Sequence, residues 1–284
     1  MGDVRATTGT AVRDSTVAVA VSIVLCAGLA VYVGPETALA GAAAVTGITV
    51  VASAGSSVMT RAGRWSGPAD RVTLARTVLI GGCATIAVLV LTGALPDRPW
   101  WLVVLVVPAL ALDFVDGLVA RRTGTSSDAG ARLDMEMDAA LLLVLSVIAT
   151  QSLGWWVLAV GGMRYLFVAA SWVRPRLAGE LEFSGFRRVV AAVQGITLAL
   201  ALAPVLPLEV ARAAVVISLG LLVVSFTRDV LWLESGGAEA VAASRAAGEP
   251  EPPPDPASGS ASASGWAGSP DASGASGTAE PPAV

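Results

Sequence analysis

The sequence predicts an all-α fold: a polytopic membrane helix bundle with a six-helix core and about two extra N-terminal transmembrane helices. Hydrophobic residues make up 55% of the 284 residues and charged residues only 14%. The mean hydropathy is +0.72. A water-soluble domain carries more charge, whereas long apolar runs separated by short polar loops are typical of a chain that crosses a membrane several times.

A helix that spans a bilayer needs about 20 apolar residues, and the chain offers eight such runs. They are Thr16–Val33, Thr37–Ala54, Val72–Leu95, Trp100–Ala120, Leu133–Leu153, Trp155–Val173, Val189–Leu206 and Val210–Leu231. An alternative for the first run is a cleaved signal peptide, because Ala38-Leu39-Ala40 resembles a small-residue cleavage site. The first run lacks a strongly positive N-terminal region, so a retained helix is the main prediction.

Arginine positions orient the predicted spans. With eight alternating spans, every loop that holds two or more arginines falls on one side of the membrane, together with the N-terminal Arg5 and Arg13. Single arginines, Arg98 and Arg212, fall on the other side. Positively charged loops stay in the cytoplasm. We therefore expect a multi-pass protein of the cell membrane with both termini, and the acidic stretch described below, on the cytoplasmic side.

The composition also excludes several classes of site. The chain contains no histidine, which removes the usual general base and most zinc chemistry. Cys26 and Cys83 each lie inside an apolar run, as packing residues do. No basic patch indicates a nucleic-acid partner. Residues 235–284 are rich in Ala, Ser, Gly and Pro with scattered acids, a composition that predicts a disordered tail.

Acidic residues gather in one polar stretch between the fourth and fifth runs. Asp113 and Asp116 are three residues apart, and Asp134 and Asp138 are four apart, so each pair shares one face of a helix. The turn-prone residues 122–129 separate the two pairs. Two antiparallel helices can therefore present four carboxylates to each other at one end of the membrane.

Carboxylates in such a site need a counter-cation, because like charges at close range oppose each other's ionisation. A ligand set of carboxylates without His or Cys selects hard divalent ions such as Mg²⁺, Mn²⁺ or Ca²⁺. Mg²⁺ held this way commonly binds substrate phosphates as well. The small side chains of Gly117, Ala120 and Gly130 leave room for a ligand, and Arg121 offers a fork for phosphate.

These residues follow the pattern D-x2-D-G-x2-A-R-x8-G-x3-D-x3-D at every fixed position, from Asp113 to Asp138. The pattern resembles the signature of the CDP-alcohol phosphotransferase family, integral-membrane enzymes of phospholipid head-group synthesis. Upstream, the segment "DRVTLAR" (Asp70–Arg76) is similar to that family's N-x2-T-x2-R entry to its first core helix. The predicted organisation is thus an N-terminal extension (1–60), a catalytic core (61–234) and the tail (235–284).

The resemblance implies transfer of a phosphatidyl group from a CDP-linked lipid such as CDP-diacylglycerol to an alcohol, with release of CMP. Membrane lipids would surround the protein, and a homodimer is implied as well. A pair of Mg²⁺ or Mn²⁺ ions would be held by Asp113, Asp116 and Asp134, with Asp138 sharing in ligation or acting as the base. The implied nucleotide contacts are Thr73, Gly117, Ala120, Arg121 and Gly130.

Candidate acceptor contacts are Arg164, Arg174, Arg187 and Arg188. A charge inside a span needs a partner, so Arg164 either contacts an anionic substrate or pairs with an aspartate. Asp70, Glu136 and Ala139 depart from the family's usual residues, which leaves the acceptor unassigned. Two other classes stay open: a divalent-cation transporter, and a catalytically retired membrane scaffold. Transport sites usually lie near the bilayer midplane, whereas these acids lie at one end of the predicted helices.

Overall fold

The computed structural model describes residues 4–59, 68–123, 128–174 and 185–235. Within these ranges it contains eight α-helices and one 3-10 turn, and no strand. The helices are α1 (Val4–Val33), α2 (Thr37–Met59), α3 (Pro68–Leu91), α4 (Trp100–Thr123), α5 (Asp128–Leu153), α6 (Leu158–Val173), α7 (Gly185–Leu202) and α8 (Leu208–Glu234). The 3-10 turn, Trp155–Val157, leads into α6. The predicted all-α polytopic bundle is confirmed.

Some helices begin or end at other residues than the predicted apolar runs, because glycine or polar residues lie at those ends. The third helix stops at Leu91, four residues before the predicted end, because Gly93 adopts a left-handed φ of 75° and the Leu95 N–H donates to the Leu89 carbonyl (3.0 Å). In contrast, α1 begins at Val4, twelve residues before the predicted span. Its first turns are too polar for a hydropathy criterion, yet they contain no proline, and the helix continues through Gly9.

The centre of the bundle is α3. About 78% of its apolar window is buried inside the protein, against 17–28% for the other four long apolar helices. It packs against α1, α2, α4 and α5. Its fully buried side chains include Ile80, Ile86, Leu89 and, unusually, the guanidinium of Arg76. A charged group at the centre of an apolar bundle must be balanced by partners from the surrounding helices.

The two N-terminal helices pack directly on α3. Backbones approach closely where Gly47 of α2 meets Gly81 of α3: a Cβ at Gly81 would lie 2.7 Å from the Gly47 carbonyl oxygen. Small residues permit such contact between helices in a membrane. Near the beginning of α3, Arg71 Nε donates to Asp14 Oδ2 of α1 (2.8 Å). The extension and the beginning of the core are thus joined by both packing and charge.

The helix α5 links the remaining helices to α3. It packs against α3, α6 and α7, and α7 packs against α8. The α7–α8 pair shares a buried polar contact in which Gln194 Nε2 donates to the Ser218 carbonyl (2.6 Å) and Ser218 Oγ donates to Gln194 Oε1 (3.1 Å). Between α5 and α6, Gly161 lies directly on the backbone of Leu143. This arrangement fixes α5, which carries half of the acidic motif.

Five helices of the described part are long and apolar enough to cross a membrane: Ala11–Val33, Thr37–Met59, Asp70–Leu91, Trp155–Val173 and Leu208–Glu234. Two shorter apolar helices are Trp100–Asp113 and Val189–Leu202. These two ranges lie within the longer helices α4 (Trp100–Thr123) and α7 (Gly185–Leu202). Large apolar side chains face outward, for example Val24 (75% exposed), as expected of a lipid-facing surface.

Candidate active site

Arg76 binds carboxylates from two other helices. Its side chain has no exposed surface. One guanidinium nitrogen, Nη1, donates to Asp113 Oδ1 of α4 and lies 3.3 Å from Asp138 Oδ1 of α5. The other, Nη2, donates to Asp134 Oδ1 (2.6 Å) and to the Asp134 backbone carbonyl (3.2 Å). A single arginine from α3 therefore connects both halves of the acidic motif.

The three aspartates converge on one small volume. One carboxylate oxygen from each of Asp113, Asp134 and Asp138 lies within 4.8 Å of the others, which is close enough for one cation to contact all three. Their side chains are 40%, 36% and 44% exposed, so the cluster opens to the outside while Arg76 closes it from within. The site is thus a partly exposed acidic cluster around a buried guanidinium.

Among the described residues of this site, the carboxylates outnumber the cations. Three ionised carboxylates and one guanidinium sum to about −2 if all are charged, and like charges this close repel each other strongly. A divalent cation would neutralise the remainder. The donors are oxygens only and the chain has no histidine, which fits Mg²⁺ or Mn²⁺ rather than Zn²⁺. The residues present therefore fit the metal that the motif implies.

Thr73, the candidate nucleotide contact on α3, is buried one helical turn before Arg76 and on the same face. Its carbonyl accepts a hydrogen bond from Thr77 Oγ1 (2.7 Å), which keeps this turn regular. The other candidates lie on described helices: Asp116, Gly117, Ala120 and Arg121 on α4, Gly130 on α5, and Arg187 and Arg188 on α7. The side chains of these seven lie outside the part that the structure describes.

The candidate acceptor arginines on α6 each have an acidic partner. Arg164 Nη2 donates to Glu136 Oε1 of α5. Arg174 Nη1, just after α6, donates to Glu234 Oε1 at the end of α8 (3.2 Å). Arg164 thus pairs with a glutamate where an aspartate was the expected structural partner. Glu136 is two residues from Asp134 and from Asp138, so it lies on a different face of α5 from those two aspartates.

Arg76 is the residue of this site that the sequence did not single out. It is the last residue of the segment "DRVTLAR", to which the resemblance gives no role at this position. The available signal was its position: an arginine inside an apolar span requires an acidic partner, and the four motif aspartates are the nearest large supply. The sequence also predicted that the two helices of the acidic motif face each other. In the structure, α3 packs against both of them and connects them through Arg76.

Comparison with known proteins agrees with the motif. A family model described as CDP-alcohol phosphatidyltransferase matches residues 67–226, which include the described part of α3 to α7, most of α8 and all eight motif positions. No curated protein and no solved structure gave a match. The matched region covers more than half of the 284 residues. The chain is therefore a member of the CDP-alcohol phosphatidyltransferase family.

Proposed function

We propose that this protein is an integral-membrane transferase that moves a phosphatidyl group from a CDP-linked lipid, such as CDP-diacylglycerol, to an alcohol and releases CMP. The observation that carries the proposal is the convergence of Asp113, Asp134 and Asp138 within 4.8 Å inside a chain of this family. The reaction breaks the bond between the lipid's phosphorus and the CMP oxygen. It forms a bond from the same phosphorus to the acceptor oxygen, and the acceptor proton is released.

In this proposal Asp113, Asp116, Asp134 and Asp138 together hold Mg²⁺ or Mn²⁺, with two ions as the expected number. A bound divalent ion polarises the diphosphate and stabilises the charge of the leaving CMP. The chain's own contribution is to fix oxygen ligands on two separate helices. Since α3 packs against both, the spacing between the Asp113 and Asp138 carboxylates is set by helix packing rather than by a loop.

Asp138 is the proposed general base, with a share in metal ligation. Among the three described aspartates it makes the longest contact with Arg76, 3.3 Å, whereas Asp134 is held at 2.6 Å and also through its backbone carbonyl. Its side chain is 44% exposed, so an acceptor hydroxyl can approach it. A weakly held, accessible carboxylate suits proton transfer, while a firmly held one suits ligation.

The nucleotide is proposed to lie along Thr73, Gly117, Ala120, Arg121 and Gly130. Thr73 is buried one turn before Arg76. This position supports a contact between Thr73 and one edge of the nucleotide, beside the aspartate cluster. Arg121 would supply a planar fork to phosphate oxygens. Small residues at three of the remaining positions leave the helix surfaces open to a bulky headgroup.

The acceptor is proposed to contact Arg164, Arg174, Arg187 and Arg188. For the first two, an anionic acceptor must exchange with a carboxylate already in place, namely Glu136 and Glu234. Both pairs are partly exposed, so the exchange costs little. An acceptor that carries a phosphate can make this exchange, whereas a neutral alcohol would leave both ion pairs intact.

We further propose that the protein lies in the cell membrane with its active site and both termini cytoplasmic, and that it is a homodimer. The division into extension (1–60), core (61–234) and tail (235–284) is kept, with α1 and α2 packed on the core. Support for the orientation comes from the arginine-rich loops, which all fall on the side of the acidic motif when eight spans alternate.

The test is a transfer assay with purified protein, CDP-diacylglycerol, Mg²⁺ and a pool of alcohols, with lipid products identified by mass spectrometry. A new phospholipid that requires both Mg²⁺ and one alcohol supports the proposal and names the acceptor. A protein that binds metal yet makes no product with any alcohol would favour the retired scaffold. Divalent-ion uptake into vesicles without a lipid product would favour the transporter.

A further inference from the structure

The buried guanidinium of Arg76 is the cation that the described carboxylates of the aspartate cluster contact. It is the largest fully buried side chain of the described part, and it reaches three aspartates on two helices. No uncharged residue could balance this cluster in its place. The same three residues each offer a carboxylate oxygen that lies within 4.8 Å of the others.

We propose that Arg76 is an internal counter-cation of the metal-free protein, which holds the aspartate cluster together and competes with the divalent ion for it. The proposal rests on the proposed function in assuming that these aspartates bind metal. Competition follows from geometry, because a metal that binds Asp113 and Asp138 needs the two carboxylates that Nη1 of Arg76 already contacts. It also follows from charge, because a guanidinium beside a divalent ion is repelled by it.

The contacts of Arg76 are unequal, and this inequality says which of them yields. Nη2 is fixed twice to Asp134, through the carboxylate at 2.6 Å and through the backbone carbonyl at 3.2 Å. The backbone carbonyl belongs to α5 and cannot turn away to a metal as a side chain does. Nη1 is shared between Asp113 and Asp138, which it contacts only through their side-chain carboxylates. An arriving ion would therefore take the Nη1 partners while Nη2 keeps Arg76 anchored on α5.

A permanent scaffold is the rival role for Arg76. In that role the guanidinium would fix the aspartates in their binding geometry, and its loss would weaken metal binding. In the competing role its loss removes a rival cation, and metal binding becomes tighter. The two roles share one consequence, a less stable metal-free protein, and they predict opposite signs for metal affinity.

The experiment measures Mn²⁺ binding by the electron paramagnetic resonance of free Mn²⁺, and thermal unfolding in excess chelator, for wild type, Arg76→Gln and Arg76→Lys. In chelator, Arg76→Gln should unfold about 6–12 °C below wild type, because three partly exposed carboxylates lose their buried counter-charge. The same variant should reach half-saturation at roughly tenfold less Mn²⁺, since a competing charge at contact distance is gone. The Lys variant keeps the charge and should stay within about threefold of wild type in Mn²⁺ binding.

A matched control is Arg71→Gln, because Arg71 lies on the same helix and pairs with Asp14, which is not part of the aspartate cluster. It should leave Mn²⁺ binding unchanged. Equal or weaker Mn²⁺ binding by Arg76→Gln would overturn the competition. If Arg76→Gln does not fold, the Lys variant decides: Mn²⁺ binding weakened more than about tenfold would identify a scaffold that needs the guanidinium fork, against the proposal. Absence of Mn²⁺ binding in wild type would instead refute the metal role of the proposed function.

Discussion

Gly161 of α6 provides a sharp test of how the helix that carries Asp134 and Asp138 is held in place. A Cβ added there would lie 2.5 Å from Leu143 Cα and 2.7 Å from both the Leu142 carbonyl oxygen and the Leu143 nitrogen. These are backbone atoms of α5, so no rotamer change can relieve the clash. The next residue, Gly162, has open space at the same position. The pair therefore gives a test and its control on adjacent residues of one helix.

The magnitude follows from subtracting the two alanine variants. Each gains about 1 kcal/mol of helix propensity when glycine becomes alanine. Only Gly161→Ala also forces α6 away from α5, and overpacking of this kind costs about 1–3 kcal/mol. The propensity terms cancel in the difference, so Gly161→Ala should be about 1–3 kcal/mol less stable than Gly162→Ala.

Thermal unfolding in one detergent checks this prediction. The expected difference in midpoint is about 2–12 °C, at roughly 2–4 °C per kcal/mol for a chain of this size. Gly162→Ala should unfold at or slightly above the wild-type temperature. A Gly161→Ala variant as stable as Gly162→Ala would refute the close α5–α6 contact, and with it the argument that α6 fixes the helix carrying half of the acidic motif.

Three further predictions concern the base, the extension and the orientation. Asp138→Asn should lower turnover by about 10²–10⁴-fold while CMP binding persists, and near-normal turnover would remove it from the base role. Gly47→Ala should be destabilising, because its Cβ would lie 2.7 Å from Cys26 Sγ and against α3. A Cβ at Gly41 meets open space, so Gly41→Ala should not be destabilising. Equal thermal midpoints for the two variants would contradict the packing of α2 on α3. A reporter fused after Gly236 should be active in the cytoplasm, and activity only outside the cell would reverse the proposed topology.

Apolar runs predicted the helices well but not their depth in the bundle. The windows of α3 and α8 have the same hydropathy, 2.1, yet 78% of the first and 28% of the second is buried. Lipid and protein interior are equally apolar, so hydropathy cannot tell a helix surrounded by protein from one surrounded by lipid. Small residues that permit close approach, such as Gly47 and Gly81, were the better signal, and they are common enough in this sequence to be ambiguous.

The acidic cluster was predictable because its residues are close in sequence and obey helical spacing. Asp113 lies on one helix and Asp134 and Asp138 on another, and the structure brings all three together. Arg76 was not predicted as their partner, because it is 37 residues from Asp113 and reaches it only when α3 packs between the two motif helices. The position of Glu136, off the stripe of Asp134 and Asp138, predicts a pairing with an arginine, and the structure confirms one. The sequence did not identify which arginine, because Arg164 is 28 residues away.

In the proposed function, the aspartate cluster binds CMP through a divalent ion. The most direct measurement is the shift in thermal midpoint that CMP produces in Mg²⁺ and in excess chelator, for wild type and for Asp134→Asn. Binding at 100 times the dissociation constant stabilises the folded state by about 2.7 kcal/mol, which is a shift of several degrees. We predict that shift in thermal midpoint for wild type in Mg²⁺, and little or no shift in chelator or in Asp134→Asn. An equal shift in chelator, or an undiminished shift in Asp134→Asn, would contradict it.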